Sequence, residues 1–265
     1  MRKSVNLPKQ PACAGTVLKH IRLFALVVLA ASAGVAATAT SASAAEPALY
    51  ICHKAKGGHY SDQHCTTRVE EGGGGYEAEE YTGSGLSFSG KSSNLLFTNI
   101  ELLSGGGGID VQCNGISYSG KFVGSTLAKE VTLTLTGCGW NGSWQYPATS
   151  PGATNAGEIV FQTLLGEFGY IDALEHKVGL FVSPWSASYL AEFIMFGSAW
   201  RLHGTIPIAV TPTNEFTKHF VWQPKAENAL HFQRAGNEWH EPWEPAGLTS
   251  EPLEITMATY GEVKG

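Results

Sequence analysis

The chain is poor in charge, and poorer in positive charge than in negative. Only 15% of its 265 residues are Asp, Glu, Lys or Arg, with 17 Lys and Arg against 23 Asp and Glu. Five of the basic residues (Arg2, Lys3, Lys9, Lys19 and Arg22) lie in the first 44 positions, where no acidic residue occurs. Beyond them the balance is 12 against 23, a net charge of −11. A chain of that sign lacks the basic surface that holds a phosphate backbone, so nucleic acid is excluded as a partner. Simple attachment to anionic lipid is disfavoured for the same reason.

Several motifs are absent as well. No Gly-x-Ser-x-Gly elbow occurs, and strands and helices do not alternate as an α/β-hydrolase requires. The two glycine runs, Gly72 to Gly75 and Gly105 to Gly108, lack the Gly-Lys-Ser/Thr ending of a phosphate loop and read as hairpin ends. Aspartate is scarce beyond residue 44 (Asp62, Asp110 and Asp172), which narrows any Ser-His-Asp triad. No cofactor is expected.

What the chain does have begins with its first 44 residues. The basic start leads into an apolar run, Leu23 to Ala33, and then into small residues ending Ala42-Ser43-Ala44. This is the order of a cleavable secretory signal. The run is shorter than the ~20 apolar residues of a membrane span, so no retained span is expected. Cys13 precedes the run and cannot be the lipidated cysteine of a lipoprotein, which follows it. The expected product, 221 residues long, is secreted or held at the cell envelope.

Cleavage near Ala44 leaves four cysteines, Cys52, Cys65, Cys113 and Cys138. An even number in an exported protein suggests two disulfides, in three formally possible connectivities. Pairing of neighbours, Cys52 with Cys65 and Cys113 with Cys138, is preferred. In the loop-entropy model such bridges contribute about 3 and about 3.5 kcal/mol.

The remaining pattern is β. Val131, Leu133 and Leu135 alternate with Thr132, Thr134 and Thr136, giving one buried and one wetter face. Other β-rich runs lie at 95–103, 109–113, 116–123, 158–165, 178–182, 202–210, 217–223, 230–233 and 253–260, between turn signals such as Asn114-Gly115 and Asn141-Gly142. Residues 188–196 read either as a helix or as a fully buried strand. Residues 224–252, with Pro224, Pro242, Pro245 and Pro252, read as an irregular excursion. The expected fold is all-β: an antiparallel sandwich or barrel with a small disulfide-stapled N-terminal hairpin unit. The boundaries are 1–44 for the signal peptide, 45–82 for the hairpin unit and 83–265 for the main domain.

The order of several short motifs carries a resemblance. Tyr50-x-Cys52 is followed by Gly57-Gly58-x-Tyr60-x-Asp62-x-x-Cys65. Then come Val131 to Cys138, Ser150-Pro151-Gly152-Ala153, Gly157-Glu158-Ile159, Gly169-Tyr170-Ile171, Lys177-Val178-Gly179-Leu180 and Ala246-Gly247-Leu248. Over most of residues 48–256 the chain resembles a large family of exported, β-rich, uncharacterised proteins of soil actinobacteria. The resemblance brings no established activity, cofactor or catalytic residue. Family members often carry two further cysteines, at the places held here by Trp144 and Met195. Their joint absence implies that they form one bridge and that Cys113–Cys138 is the other.

Candidate chemistry is sparse. His53, His59 and His64 surround the first cysteine pair, but their spacing matches no standard zinc pattern and oxidised cysteines cannot ligate, so no metal is expected. Glu238, His240 and Glu241 form a second polar knot between Trp239 and Trp243, where Pro242 opposes a zincin helix. Carboxylate pairs for glycoside hydrolysis can be drawn from Glu158, Glu167 and Glu192, with little specificity. The most informative group is Trp140, Trp144 and Tyr146, in a polar turn directly after Cys138. A disulfide-anchored loop of flat apolar rings suits stacking on sugars, while the same rings could simply close the end of the core. The reading is therefore a non-catalytic structural or interaction domain. Its expected partner is a cell-surface or extracellular glycan or protein, and the alternatives are glycan binding through Trp140 and Trp144 or a secreted hydrolase on a β scaffold.

Overall fold

The computed structural model of the chain describes residues 46–70, 72–92, 95–96, 111–140, 143, 145–234, 244–250 and 252–265. Residues 1–44, with the signal segment, lie outside them, as do Asp110, Trp144 and the Glu238–Glu241 knot. Ala45–Gly265 form one compact unit. The described residues are all-β, 66% of them in strands and none in a helix.

Eight antiparallel strands close into a barrel. In order around it they are β3 (Leu86–Ser92), β6 (Gly115–Val123), β7 (Leu127–Thr136), β10 (Leu164–Asp172), β11 (Lys177–Pro184), β14 (Ile206–Thr211), the first half of β15 (Thr217–Arg234), and β17 (Leu253–Lys264). The ring closes where β17 returns to β3, Ile255 opposite Gly90. Closure leaves no open edge in the ring to template further pairing. β1 (Ala48–Gly58) adds to the far end of β17 and to β2 (Gly74–Glu80), so the cysteine-stapled hairpin is bonded into the same sheet. The Cys52–Cys65 bridge ties β1 to the loop that follows it.

An eight-stranded barrel is just wide enough for side chains to fill it, and here aromatic rings do so. Phe88 lies 4.9 Å from Phe122 and 5.1 Å from Trp222, and Phe122 stacks on Phe168 at 5.6 Å, all four rings buried. Two glycines make room. β3 and β6 carry related sequences, Leu86-Ser-Phe-Ser-Gly-Lys91 and Ile116-Ser-Tyr-Ser-Gly-Lys121, paired antiparallel about Ser89 and Ser119. Each glycine therefore faces the other strand's ring. A Cβ on Gly120 would lie 2.4 Å from the Phe88 ring, and one on Gly90 2.0 Å from the Tyr118 hydroxyl. That hydroxyl donates to the Glu254 carbonyl, and burial raises its pKa far above the usual tyrosine value.

A second sheet continues from the barrel. It contains β12 (Ala191–Met195), β13 (Ser198–Gly204), the second half of β15, β16 (Glu244–Ser250), β4 (Leu95–Leu96), β5 (Val111–Cys113) and β8 (Gly139–Trp140). Short β9 (Ile159–Val160) pairs with β7. Cys113 and Cys138 are joined where β5 meets β8. A cavity of only about 10 Å³ remains among Val111, Ile159, Phe161, Phe193 and Phe232.

Three expectations need correction. Residues 188–196 contain no helix: Ala191, Phe193 and Met195 are buried while Ile194 is exposed, a period of two that makes β12 a strand. Residues 224–252 are not one irregular excursion, because β15 runs on to Arg234 and β16 follows. Pro224 stands at the corner, paired with Ile208 of the barrel, while Lys225 already pairs with Thr249 of the second sheet. Proline lacks a ladder donor, and the site where a strand changes sheets tolerates that loss. Lastly, residues 202–210 are two strands, broken at Gly204 (φ 115°), where the chain passes from the second sheet into the barrel.

Candidate functional site

The turn after Cys138 is held by backbone bonds. Trp140 N–H donates to the Tyr146 carbonyl at 3.1 Å, and Ser143 N–H donates to the Trp140 carbonyl at 2.8 Å. Gly139 permits this closeness, since a Cβ there would lie 2.4 Å from the Ser143 carbonyl oxygen. Trp140 is partly buried and packs against the core, whereas Tyr146 is 44% exposed. Within one turn, then, Trp140 packs on the core while Tyr146 faces solvent.

The structure brings a further ring to this turn that sequence reasoning missed. Phe196 is 51% exposed, 5.6 Å from Trp140 and 5.0 Å from Tyr146. It sits at the tip of the β12–β13 hairpin, where Met195 pairs with Ser198 across Phe196-Gly197. Both tip residues have positive φ, 53° and 72°. That is the signature of a type I′ turn, which favours Asn-Gly and is costly for an aromatic residue. The patch extends to Ile194, 46% exposed on the outer side of β12. The rings are not coplanar, with interplanar angles of 72°, 73° and 45°. They form a corner with several edges and faces, unlike a flat platform.

The other candidates have structural partners. Cys52 and Cys65 are oxidised, so they offer no thiolate. His59 Nδ1 is 2.6 Å from Glu77, His53 is 3.5 Å from Glu79, and His64 stacks on Tyr260 at 3.9 Å. No cluster of His, Cys, Asp or Glu with metal-binding geometry occurs among the described residues. Asp62 accepts N–H bonds from His64, Thr66 and Thr67 and a hydroxyl bond from Thr66. Desolvation opposes its ionisation, but these donors prevail and hold its carboxyl far below the ordinary range. Asp172 likewise caps the Leu174 and Glu175 N–H groups. Glu192 is bound by Arg201 at 2.7 Å, and Glu158 accepts from Asn155 at 3.1 Å.

One further motif needs its structural context. Gly85 to Ser92 reads Gly-x-x-x-x-Gly-Lys-Ser, the letters of a phosphate loop. A phosphate loop needs free backbone N–H groups leading into a helix. Here Leu86–Ser92 form β3, paired with β6 along its length and with β17 at Phe88–Gly90, so the match is one of letters alone.

No protein-family model, curated protein or solved structure matches the chain. The two disulfides suit an oxidising compartment. No helix among the described residues is long and apolar enough to cross a membrane.

Proposed function

We propose that this chain is an exported, non-catalytic recognition module acting at or beyond the cell envelope. Its binding surface is the corner formed by Trp140, Tyr146 and Phe196, and its ligand is a glycan. The observation that carries this reading is Phe196, a half-exposed aromatic held at positive φ on a hairpin tip. Folding gains little from a ring in that place, so binding is the better reason for it. Export rests on the form of residues 1–44 and on the disulfides, and the resemblance to exported actinobacterial proteins agrees with it. The non-coplanar rings suit a single sugar chain or chain end better than the flat face of a crystalline polysaccharide. Both described aspartates accept backbone N–H groups of their own turns, so neither is paired with a histidine ring as a triad aspartate would be.

The test is Phe196→Asn, which removes the ring and supplies a residue the turn favours. Binding of soluble hexasaccharides (gluco-, manno- and chito-oligomers) would be followed by calorimetry and tryptophan fluorescence. The expected result is a loss of at least about tenfold in affinity with the fold intact. Unchanged affinity would remove the aromatic corner as the site. Export is tested separately by the mass of the secreted protein, expected to begin at Ala45.

A further inference from the structure

The paired β3 and β6 strands shape a second surface, on the outside of the barrel. Five directly opposed residues form a row across adjacent strands: His219, Thr256, Ser89, Ser119 and Thr132. All five point away from the core, because their strand neighbours Phe220, Ile255, Phe88, Tyr118 and Val131 are buried. Ser87 and Ser117 flank the row diagonally, opposite Lys121 and Lys91. The short side chains leave a trough. One part, about 460 Å³, is lined by Ser87, Ser89, Ser119, Lys121, Glu130 and Thr256. An adjoining part of about 410 Å³ shares Ser89, Ser119 and Thr256 and adds Lys91, Ser117 and Thr134.

The wall of this trough is built as well as its floor. Glu130 has φ 50° at a register shift in β7, a bulge that re-aims its side chain. It meets Lys121 at 2.5 Å, so this wall is internally neutralised. Paired in this way, Lys121 is a poor anchor for phosphate or another anion, which leaves Lys91 as the other lysine of the trough. Phe88, Tyr118, Met257 and Ala258 also line it, but the first three are buried and Ala258 adds only a methyl group, so little of that apolar surface is open to a peptide. Each hydroxyl can both donate and accept, as the Ser119–Thr132 pair does at 2.9 Å. That is the bonding capacity of a sugar hydroxyl. The row crosses strands about 4.8 Å apart, so it offers hydroxyls at regular intervals to an extended chain.

We infer that this trough is a binding site for a neutral, polyhydroxylated chain, a polysaccharide lying across β17, β3, β6 and β7. It is independent of the aromatic corner. The test uses Ser89→Val/Ser119→Val, which removes two central hydroxyls and keeps a residue suited to strands. Neutral hexasaccharides are titrated into the wild type, this variant and Phe196→Asn, with calorimetry and backbone amide shifts as readouts. The expected result is a shift at Ser89, Ser119 and Thr256 in the wild type and an affinity loss of about tenfold in the double variant, two hydrogen bonds' worth. Wild-type affinity in a folded double variant, or no shift at these amides with any oligomer, overturns the trough. If only Phe196→Asn weakens binding, the aromatic corner stands and the trough falls; if only the double variant does, the reverse holds.

Discussion

Phe88 and Gly120 face each other across β3 and β6, with the ring seated where a glycine side chain would begin. Gly90 and Tyr118 repeat the relationship in the opposite sense. Because Phe88 is wedged between Phe122 and Trp222, it has little room to yield. Gly120→Ala should therefore destabilise the barrel by about 1–3 kcal/mol through overpacking. Urea denaturation measures this directly. Adding Phe88→Leu should recover part of the loss, and purely additive losses would show that ring and glycine are not coupled.

Phe196→Asn should behave in the opposite way. A non-glycine residue at positive φ costs of order 1–3 kcal/mol, and asparagine tolerates that region far better than phenylalanine. Against this stand the ring's contacts with Trp140 and Tyr146, worth about 0.5–1.5 kcal/mol each at most for a half-exposed side chain. The melting temperature should stay level or rise. A marked fall would mean that the ring is structural and would weaken the case for a binding role.

The disulfides predict a clear thiol count. Alkylation of the mature protein without reduction should add no groups, and after reduction it should add four, at Cys52, Cys65, Cys113 and Cys138. The bridge across 25 residues should be worth about 3.5 kcal/mol in the loop-entropy model and the one across 13 about 3. Cys113→Ala/Cys138→Ala should thus cost slightly more stability than Cys52→Ala/Cys65→Ala.

Much of the strand content was legible because alternation reports which face is buried. Val131 and Leu135 are buried, and Thr132 and Thr136 exposed, as the pattern at 131–136 requires. Barrel closure was not legible. It joins Gly90 to Ile255, and periodicity says nothing about which distant strands pair. The related β3 and β6 segments were present in the sequence, yet their meaning appears only once they are opposed, glycine to ring. Among site residues, the turn after Cys138 announced Trp140 and Tyr146. Phe196 did not announce itself, because Phe-Gly is an unusual hairpin tip and its neighbours permitted a helical reading.

The stapled end of the molecule should be the acid-sensitive part. Glu77 is held below its ordinary pKa, chiefly by the His59 ring, with desolvation opposing and the His59 and Ala78 N–H groups assisting. Asp62 is held lower still by the donors of its own turn. Both folded-state values lie below the unfolded ones, so as pH falls the unfolded chain takes up these protons first. The resulting stability is fully present above the unfolded carboxylate value, roughly 4, and is lost as pH drops through the folded values. Asp62→Asn and Glu77→Gln should each be less stable than the wild type at pH 7. The gap should stay level from pH 6 to about pH 5 and then narrow as urea curves are repeated down to about pH 2. A gap that stays constant with pH would mean that these carboxylates act through shape and not through charge.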